Sequence, residues 1–105
     1  MRTVRILEEA AEEAAGAAAW YEMERPGLGI DFINALEAAF DLIEEEILPL
    51  LPMTGEAGIK GAKRIILRRF PYDIVAIDRS HEIIIIAVAH HSRKPGYWRD
   101  RIKGA

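Results

Sequence analysis

The chain has 105 residues, no cysteine, and 14 lysines and arginines against 17 aspartates and glutamates, for a formal net charge of −3. This length predicts a single domain over 1–105, and the 50% apolar content predicts a packed core and excludes a disordered chain. The lack of cysteine excludes a disulfide framework, a cysteine zinc site and a thiolate nucleophile. No apolar run approaches the roughly 20 residues that span a bilayer, and residues 1–9 lack a signal-peptide stretch, so we expect a cytoplasmic protein.

The small net charge conceals an uneven distribution along the chain. Residues 1–58 hold three cations against 13 carboxylates, a net charge of −10, whereas residues 59–105 hold eleven against four, a net charge of +7. A basic region of this kind attracts an anionic partner, which can be RNA, DNA or an acidic protein segment. The sign of the charge does not choose among them.

The first half of the chain predicts a short strand followed by two helices. Residues 3–7 carry Val4 and Ile6 on one side, which predicts a strand. Strong helix formers follow from Glu8 to about Arg25, where Pro26 and Gly27 end the helix. The apolar positions of this helix are mostly small, which lets a second helix approach closely: Ala11, Ala14, Ala15 and Ala18.

The second helix is predicted to start near 29–31 from apolar residues that recur every three or four positions: Phe32, Leu36, Ala39, Phe40, Ile43 and Ile47. Pro49 and Pro52 end it. Its short connection to the first helix predicts an antiparallel helical hairpin.

The second half predicts three antiparallel strands after a loop at 53–61. The strands are residues 62–70, 72–79 and 82–89, all rich in isoleucine, valine and aromatics. The last strand is apolar on both faces, so we expect it to be covered on both sides. Residues 96–103 predict a short final helix with Tyr97, Trp98 and Ile102 facing inward.

Two stretches resemble the toxins of the RelE/ParE superfamily of bacterial type II toxin–antitoxin modules: residues 64–75 (RIILRRFPYDIV) and 87–98 (AVAHHSRKPGYW). The segments Trp20-Tyr21-Glu22 and Pro26-Gly27-Leu28-Gly29, with Phe32, resemble the helical hairpin of the ParE-like branch, that of plasmid stabilisation toxins. The resemblance implies an α+β fold made of an N-terminal strand, an antiparallel helical hairpin, a three-stranded antiparallel meander and a short C-terminal helix. It also implies a toxin that causes growth arrest unless a cognate antitoxin binds it.

The two branches of this superfamily imply different targets. ParE-like toxins act on DNA gyrase by binding, and RelE-like toxins are ribosome-dependent endoribonucleases that cut mRNA. When RNA is cleaved by attack of its own 2′-hydroxyl group, the reaction needs a base to take the hydroxyl proton, cations to hold the phosphate and an acid to protonate the leaving oxygen. Similarity to the nucleases assigns these catalytic roles to Arg64, Arg93 and Tyr97, with His91 at the end of the last strand. The RelE-like nucleases also carry paired lysines, for which this sequence has only Lys60 and Lys63 as loose counterparts. This incomplete match to the nucleases favours the ParE-like hypothesis.

The partner expected from the resemblance is the antitoxin, with operator DNA bound only through it. The residues assigned to partner binding are Arg68, Arg69, Arg79, Lys94 and Trp98. We predict no metal, because three histidines without cysteine form no recognisable ligand cluster, and no cofactor, because no glycine-rich sequence resembles a nucleotide-binding loop. Each site residue also fits a plainer role in a turn, a solvated sheet face or the core, so a non-toxic antitoxin-binding domain is a third hypothesis.

Overall fold

Two helices and one mixed sheet form the part of the chain that the computed structural model describes, residues 3–46, 50–53, 55 and 61–104. The elements are β1 (Thr3–Ile6), α1 (Glu8–Glu24), α2 (Leu28–Glu44), β2 (Leu51–Pro52), β3 (Ala62–Ile66), β4 (Tyr72–Asp78), β5 (Glu82–His90) and a 3-10 helix (Arg99–Gly104). The strand order is β1-β5-β4-β3-β2, with β1 parallel to β5 and the other neighbours antiparallel. The predicted α+β arrangement is confirmed.

The sheet has one strand more than the predicted elements supply. The two-residue strand β2 pairs with β3, Leu51 opposite Arg64 and Pro52 opposite Lys63. So short a segment, half of it proline, carries no alternating pattern, which is why the sequence predicted no strand there. The predicted helical position Ile47 and most of the predicted loop lie outside the described residues.

The hairpin lies on one face of the sheet, and the larger of the two hydrophobic cores is formed between the hairpin and that face. On α2 the buried residues Phe32, Leu36, Ala39 and Ile43 are among those predicted from their spacing. On α1 the buried positions are Ala10 and Ala17, while Ala11 and Ala15 are exposed. The alanine face predicted for α1 was therefore partly wrong, because alanines on nearly every side of a helix leave its buried face undefined.

The turn between the helices explains the motif around Glu22. The Glu22 carboxylate accepts hydrogen bonds from the Gly27 N–H at 2.9 Å and the Gly29 N–H at 3.0 Å, at the start of α2. Gly27 has a φ of 89°, which favours glycine. A Cβ on Gly29 would lie 2.5 Å from the Ala18 carbonyl oxygen. These contacts fix the antiparallel approach of α1 and α2.

A β-bulge divides the residues of β5 between two cores. Val75 pairs with Ala87 but Ala76 pairs with Ile85, so Ile86 is an extra residue on β5. Ile85 packs under the hairpin, whereas Ile86 and Ala87 both pack in a second core on the opposite face. The prediction that this strand is covered on both sides is confirmed.

Candidate functional site

A cationic groove lies on the sheet face opposite the hairpin. It has a volume of about 330 Å³ and lies between β3, β4 and the segment that follows β5. The predicted catalytic residues Arg64, His91, Arg93 and Tyr97 all line it, as does Lys94. Strand alternation turns Arg64 toward the groove and its neighbour Lys63 toward the hairpin side, where Lys63 pairs with Asp78 at 3.2 Å.

Asp73 lies between two of the predicted residues, although the sequence did not indicate it as a site residue. Its Oδ1 is 2.8 Å from His91 Nε2, and its Oδ2 is 3.4 Å from Arg64 Nη1. Asp73 pairs with Ile66 in the β3–β4 ladder, so Arg64 is its diagonal neighbour on the same face. One sequence signal could have identified Asp73 as a site residue. It is a carboxylate two residues after Pro71, at the start of a strand beside an arginine-bearing strand.

The segment after β5 forms the other wall of the groove. The Arg93 guanidinium carbon lies 4.0 Å from the centre of the Tyr97 ring, a cation–π contact. Arg93 and Lys94 are exposed. Two cations are thus held at the edge of the groove, open to an anionic partner.

Glu13 of α1 connects this wall to the sheet. Its Oε2 accepts the Tyr97 hydroxyl at 2.5 Å, and both of its oxygens accept bonds from Arg101, at 2.8 and 3.1 Å. Its Oε1 also accepts the Val88 N–H at 3.1 Å, and Arg101 donates to the Ile86 carbonyl at 3.1 Å. β1 pairs with β5 only as far as Ile85. Glu13 and Arg101 therefore satisfy β5 backbone groups that lie beyond that pairing.

These contacts change the titration of both partners of Glu13. Burial raises the pKa of Tyr97 well above its usual range, and the hydrogen bond to Glu13 raises it further. The hydrogen bond to Glu13 also raises the pKa of Arg101. A phenol that holds its proton this firmly is a poor general acid, and its hydroxyl is already committed to Glu13.

His90 has a structural role at the end of β5. Its Nδ1 accepts the Ser92 N–H at 3.0 Å, and its ring packs edge-on against Tyr72 at 4.9 Å between centroids. These contacts give His90 a structural role in the turn. His91 is the histidine that lies beside Asp73.

The residues assigned to partner binding do not form one patch. Arg68 and Arg69 are exposed in the β3–β4 turn, near the His91 end of β4, whereas Arg79 follows the other end of that strand. Seven residues of strand separate the two ends by roughly 20 Å. Trp98 is 2% exposed and packs in the second core, so its ring is not available at the surface. Lys60 lies outside the described residues.

The described part of the chain offers neither a metal site nor a membrane-spanning helix. It contains no group of three histidine, aspartate or glutamate side chains placed to hold a metal ion. None of its helices combines the length and the apolar character needed to cross a bilayer.

Comparison with known proteins supports the fold described above. No protein-family model matches the sequence, and no curated protein matches it. A chain of the solved chromosomal ParDE TA system from P. aeruginosa is similar in structure, with a TM-score of 0.71 over 86% of this chain and 96% of that chain. This chain has a RelE/ParE-like fold. The two chains are 14% identical, so the likeness shows the fold alone. For the fold, it confirms the resemblance seen in the sequence.

Proposed function

We propose that this protein is a ParE-like toxin of a type II toxin–antitoxin system, which arrests growth by binding DNA gyrase. The observation that carries the proposal is the fold, shared over 86% of this chain with a chain of a ParDE system. The groove adds support, because the Tyr97 hydroxyl is bound to Glu13 and is therefore not free to act as the acid for a leaving oxygen.

The proposed antitoxin segment binds the cationic groove. Arg93 and Lys94 on its wall, with Arg68 in the nearby turn, attract an acidic amphipathic segment. Arg69 lies 3.7 Å from Asp31 of α2, on the hairpin side of the sheet. Arg79 lies too far along β4 to join them unless the segment runs the length of the strand. Operator DNA is bound only through the antitoxin in this scheme, and the complex is cytoplasmic.

The test is inhibition of purified gyrase in a DNA supercoiling assay. We expect excess toxin to inhibit supercoiling, and Arg93→Ala to keep most of that inhibition if arrest needs no RNA chemistry. Undiminished gyrase activity at excess toxin would reject the gyrase target. Growth that continues after expression without antitoxin would favour the third hypothesis, a non-toxic antitoxin-binding domain.

A second candidate function is mRNA cleavage in the ribosome, favoured by the presence of Arg64, His91, Arg93 and Tyr97 in one groove. In this scheme Arg64 and Arg93 hold the phosphate, and His91, oriented by Asp73, takes the 2′-hydroxyl proton as that oxygen bonds to phosphorus. The bond from phosphorus to the 5′-oxygen breaks, and the leaving 5′-oxygen takes its proton from water, since the Tyr97 hydroxyl is bound to Glu13. Mapping of mRNA 5′ ends after induction tests it. Codon-positioned cuts that disappear in Arg93→Ala, but persist in the exposed-cation control Lys103→Ala, would establish the nuclease; intact messages would eliminate it.

A further inference from the structure

The cationic groove has an apolar floor as well as charged walls. Beside its bulge, β5 contributes only the small residues Ala87 and Ala89 to this face, which leaves room for the depression. Val75, Ala89 and Trp98 are buried in the floor, and Ile66, which is 47% exposed, borders it. At about 330 Å³, the groove lies near the lower end of the roughly 300–1,000 Å³ range of ligand sites. It has room for a side chain and a few backbone atoms, and not for a helix.

The walls of the groove carry a net positive charge. Within the described lining, the cations Arg64, Arg93 and Lys94 stand against the single carboxylate of Asp73. Arg64 contacts Asp73 through Nη1 at 3.4 Å, and its side chain is 42% exposed. The Arg93 guanidinium lies over the Tyr97 ring, and among the described residues no carboxylate or carbonyl accepts a hydrogen bond from it. Two arginines can therefore donate to one anionic group in the groove.

An apolar floor and cationic walls in one small groove fit a ligand whose apolar group and anion are close together. In an extended peptide, neighbouring side chains point to opposite faces, so an internal acidic residue and the apolar residue beside it cannot both enter. At the last residue of a chain, by contrast, the carboxylate and the side chain are bonded to the same Cα. A C-terminal apolar residue therefore matches the floor and the walls together.

A nucleic acid fits the described groove less well. Its phosphates would meet the cations, but its bases stack on open aromatic faces. Trp98 is 2% exposed, and the Tyr97 ring has the guanidinium carbons of Arg93 and Arg101 at 4.0 and 5.3 Å from its centre. Neither ring is open to a base.

We propose that the cationic groove captures the C-terminal residue of an extended partner chain. Arg64 and Arg93 bind its carboxylate, and its apolar side chain lies over Ile66 and Val75. Lys94 attracts acidic residues that precede the terminus.

This inference rests on the proposed function, since it names the part of the antitoxin segment that enters the groove. Peptide binding and gyrase inhibition are measured separately. Tight peptide binding with unaffected gyrase would reject only the gyrase target, and gyrase inhibition without peptide binding would reject only this inference.

The experiment measures binding of fluorescein-labelled hexapeptides to the full chain by fluorescence anisotropy. The probe consists of serine and glutamate and ends in leucine with a free carboxylate. The control peptide ends in a leucine amide and has one serine replaced by glutamate, so that its net charge equals that of the probe. We expect the control to bind about tenfold more weakly, because its added charge lies away from the chain end.

Two pairs of variants place the chain end in the groove. We expect Arg93→Ala to weaken binding of the probe about tenfold, whereas Lys103→Ala, which removes an exposed cation outside the groove lining, leaves it unchanged. We expect Ile66→Ala to weaken binding about threefold through lost apolar contact, whereas Ile30→Ala, an exposed isoleucine on α2, has no effect. A second probe that ends in alanine should be insensitive to Ile66→Ala, because it has little side chain to bury.

Thermal unfolding of each variant, followed by circular dichroism, confirms that it is folded. Equal binding of the probe and the charge-matched amide would overturn the proposal, because the groove would then recognise acidic charge wherever it lies in the peptide. Equal effects within either pair of variants would also overturn it. So would tighter binding of a short single-stranded RNA in the same assay, which would assign the groove to nucleic acid.

Discussion

The two faces of the sheet are held together in different ways. On the hairpin face, contacts are mostly apolar. They include a cluster of the aromatic rings of Tyr21, Phe32, Phe70 and Tyr72, in which the centroids of contacting rings lie 5.0 to 6.3 Å apart. On the groove face, a smaller apolar core that contains Trp98 is joined by polar contacts from one carboxylate of α1, Glu13, to the C-terminal segment. Apolar contact is spread over many atoms, whereas the polar contacts depend on a few. The groove should therefore be the more vulnerable face to a single polar substitution.

The strongest test of this comparison is Glu13→Ala. The substitution leaves Arg101, the Tyr97 hydroxyl and the Val88 N–H without their acceptor, and we expect the free energy of unfolding to fall by about 3 kcal/mol. Urea denaturation measures it. Glu12→Ala, its exposed neighbour on the same helix, should change stability by less than about 0.5 kcal/mol. Equal effects of the two substitutions would show that the Glu13 contacts do not hold the groove wall.

A pair of glycines tests the close approach on the hairpin face. We expect Gly29→Ala to destabilise by about 2 kcal/mol, because the new Cβ would meet the Ala18 carbonyl oxygen. Gly16→Ala is the matched control in α1, where the new Cβ would meet no atom within 4 Å outside its own stretch of helix, and it should stabilise by about 0.5 to 1 kcal/mol through helix propensity. The denaturation midpoints of the two variants measure these opposite changes in stability. Stabilisation by both would contradict close helix packing at Gly29.

Alkaline pH should weaken the groove face through Tyr97. The folded state raises the pKa of Tyr97 above its ordinary value of 10.0, so its stabilising contribution is complete below pH 10 and is lost as the pH rises further. Arg101, whose pKa is also raised, keeps its charge in this range. Because the ring is partly exposed, solvent screening limits the loss to about 1 kcal/mol.

Urea denaturation of the wild type and Tyr97→Phe, each at pH 8 and pH 11, measures this loss. We expect a smaller pH effect in Tyr97→Phe. A residual effect should remain, since burial also raises the pKa of Tyr21 and Tyr72. The same pH dependence in both proteins would exclude Tyr97 as the source.

The smallest expected losses of stability come from replacing one aspartate on each face of the sheet. Asp31 of α2 lies 3.7 Å from Arg69, and both side chains are substantially exposed, so Asp31→Asn should cost less than about 0.5 kcal/mol. Asp73→Asn removes the carboxylate shared by His91 and Arg64 and should cost about 1 kcal/mol. Chemical denaturation of both at neutral pH distinguishes them. A larger loss in Asp31→Asn would reverse the comparison.

Much of the secondary structure could be predicted because its signal is local. The spacing of Phe32, Leu36 and Ile43 in α2 identified both the helix and its buried face. In α1 the same reasoning found the helix but only part of its face, since alanine occurs on nearly every side. β2 was missed because two residues contain no period.

The candidate site was partly predictable for a similar reason. Arg64, Arg93 and Tyr97 were indicated by their resemblance to a family pattern, and His91 by its place at a strand end. Asp73 and Glu13 were missed. Glu13 is 88 residues from Arg101, and no local spacing links a glutamate in an alanine-rich helix to a C-terminal arginine.

The sequence by itself determined the order of the two helices and the four longer strands, the acidic hairpin and the basic second half, because periodicity, helix propensity and charge are properties of neighbouring residues. Only the tertiary structure decided that Ile86 forms a bulge, that Glu13 satisfies the β5 backbone beyond the end of β1, and that Arg79 lies far from Arg68. These features depend on which strands pair and in which register. That choice minimises the free energy of the whole chain, and no single segment contains it.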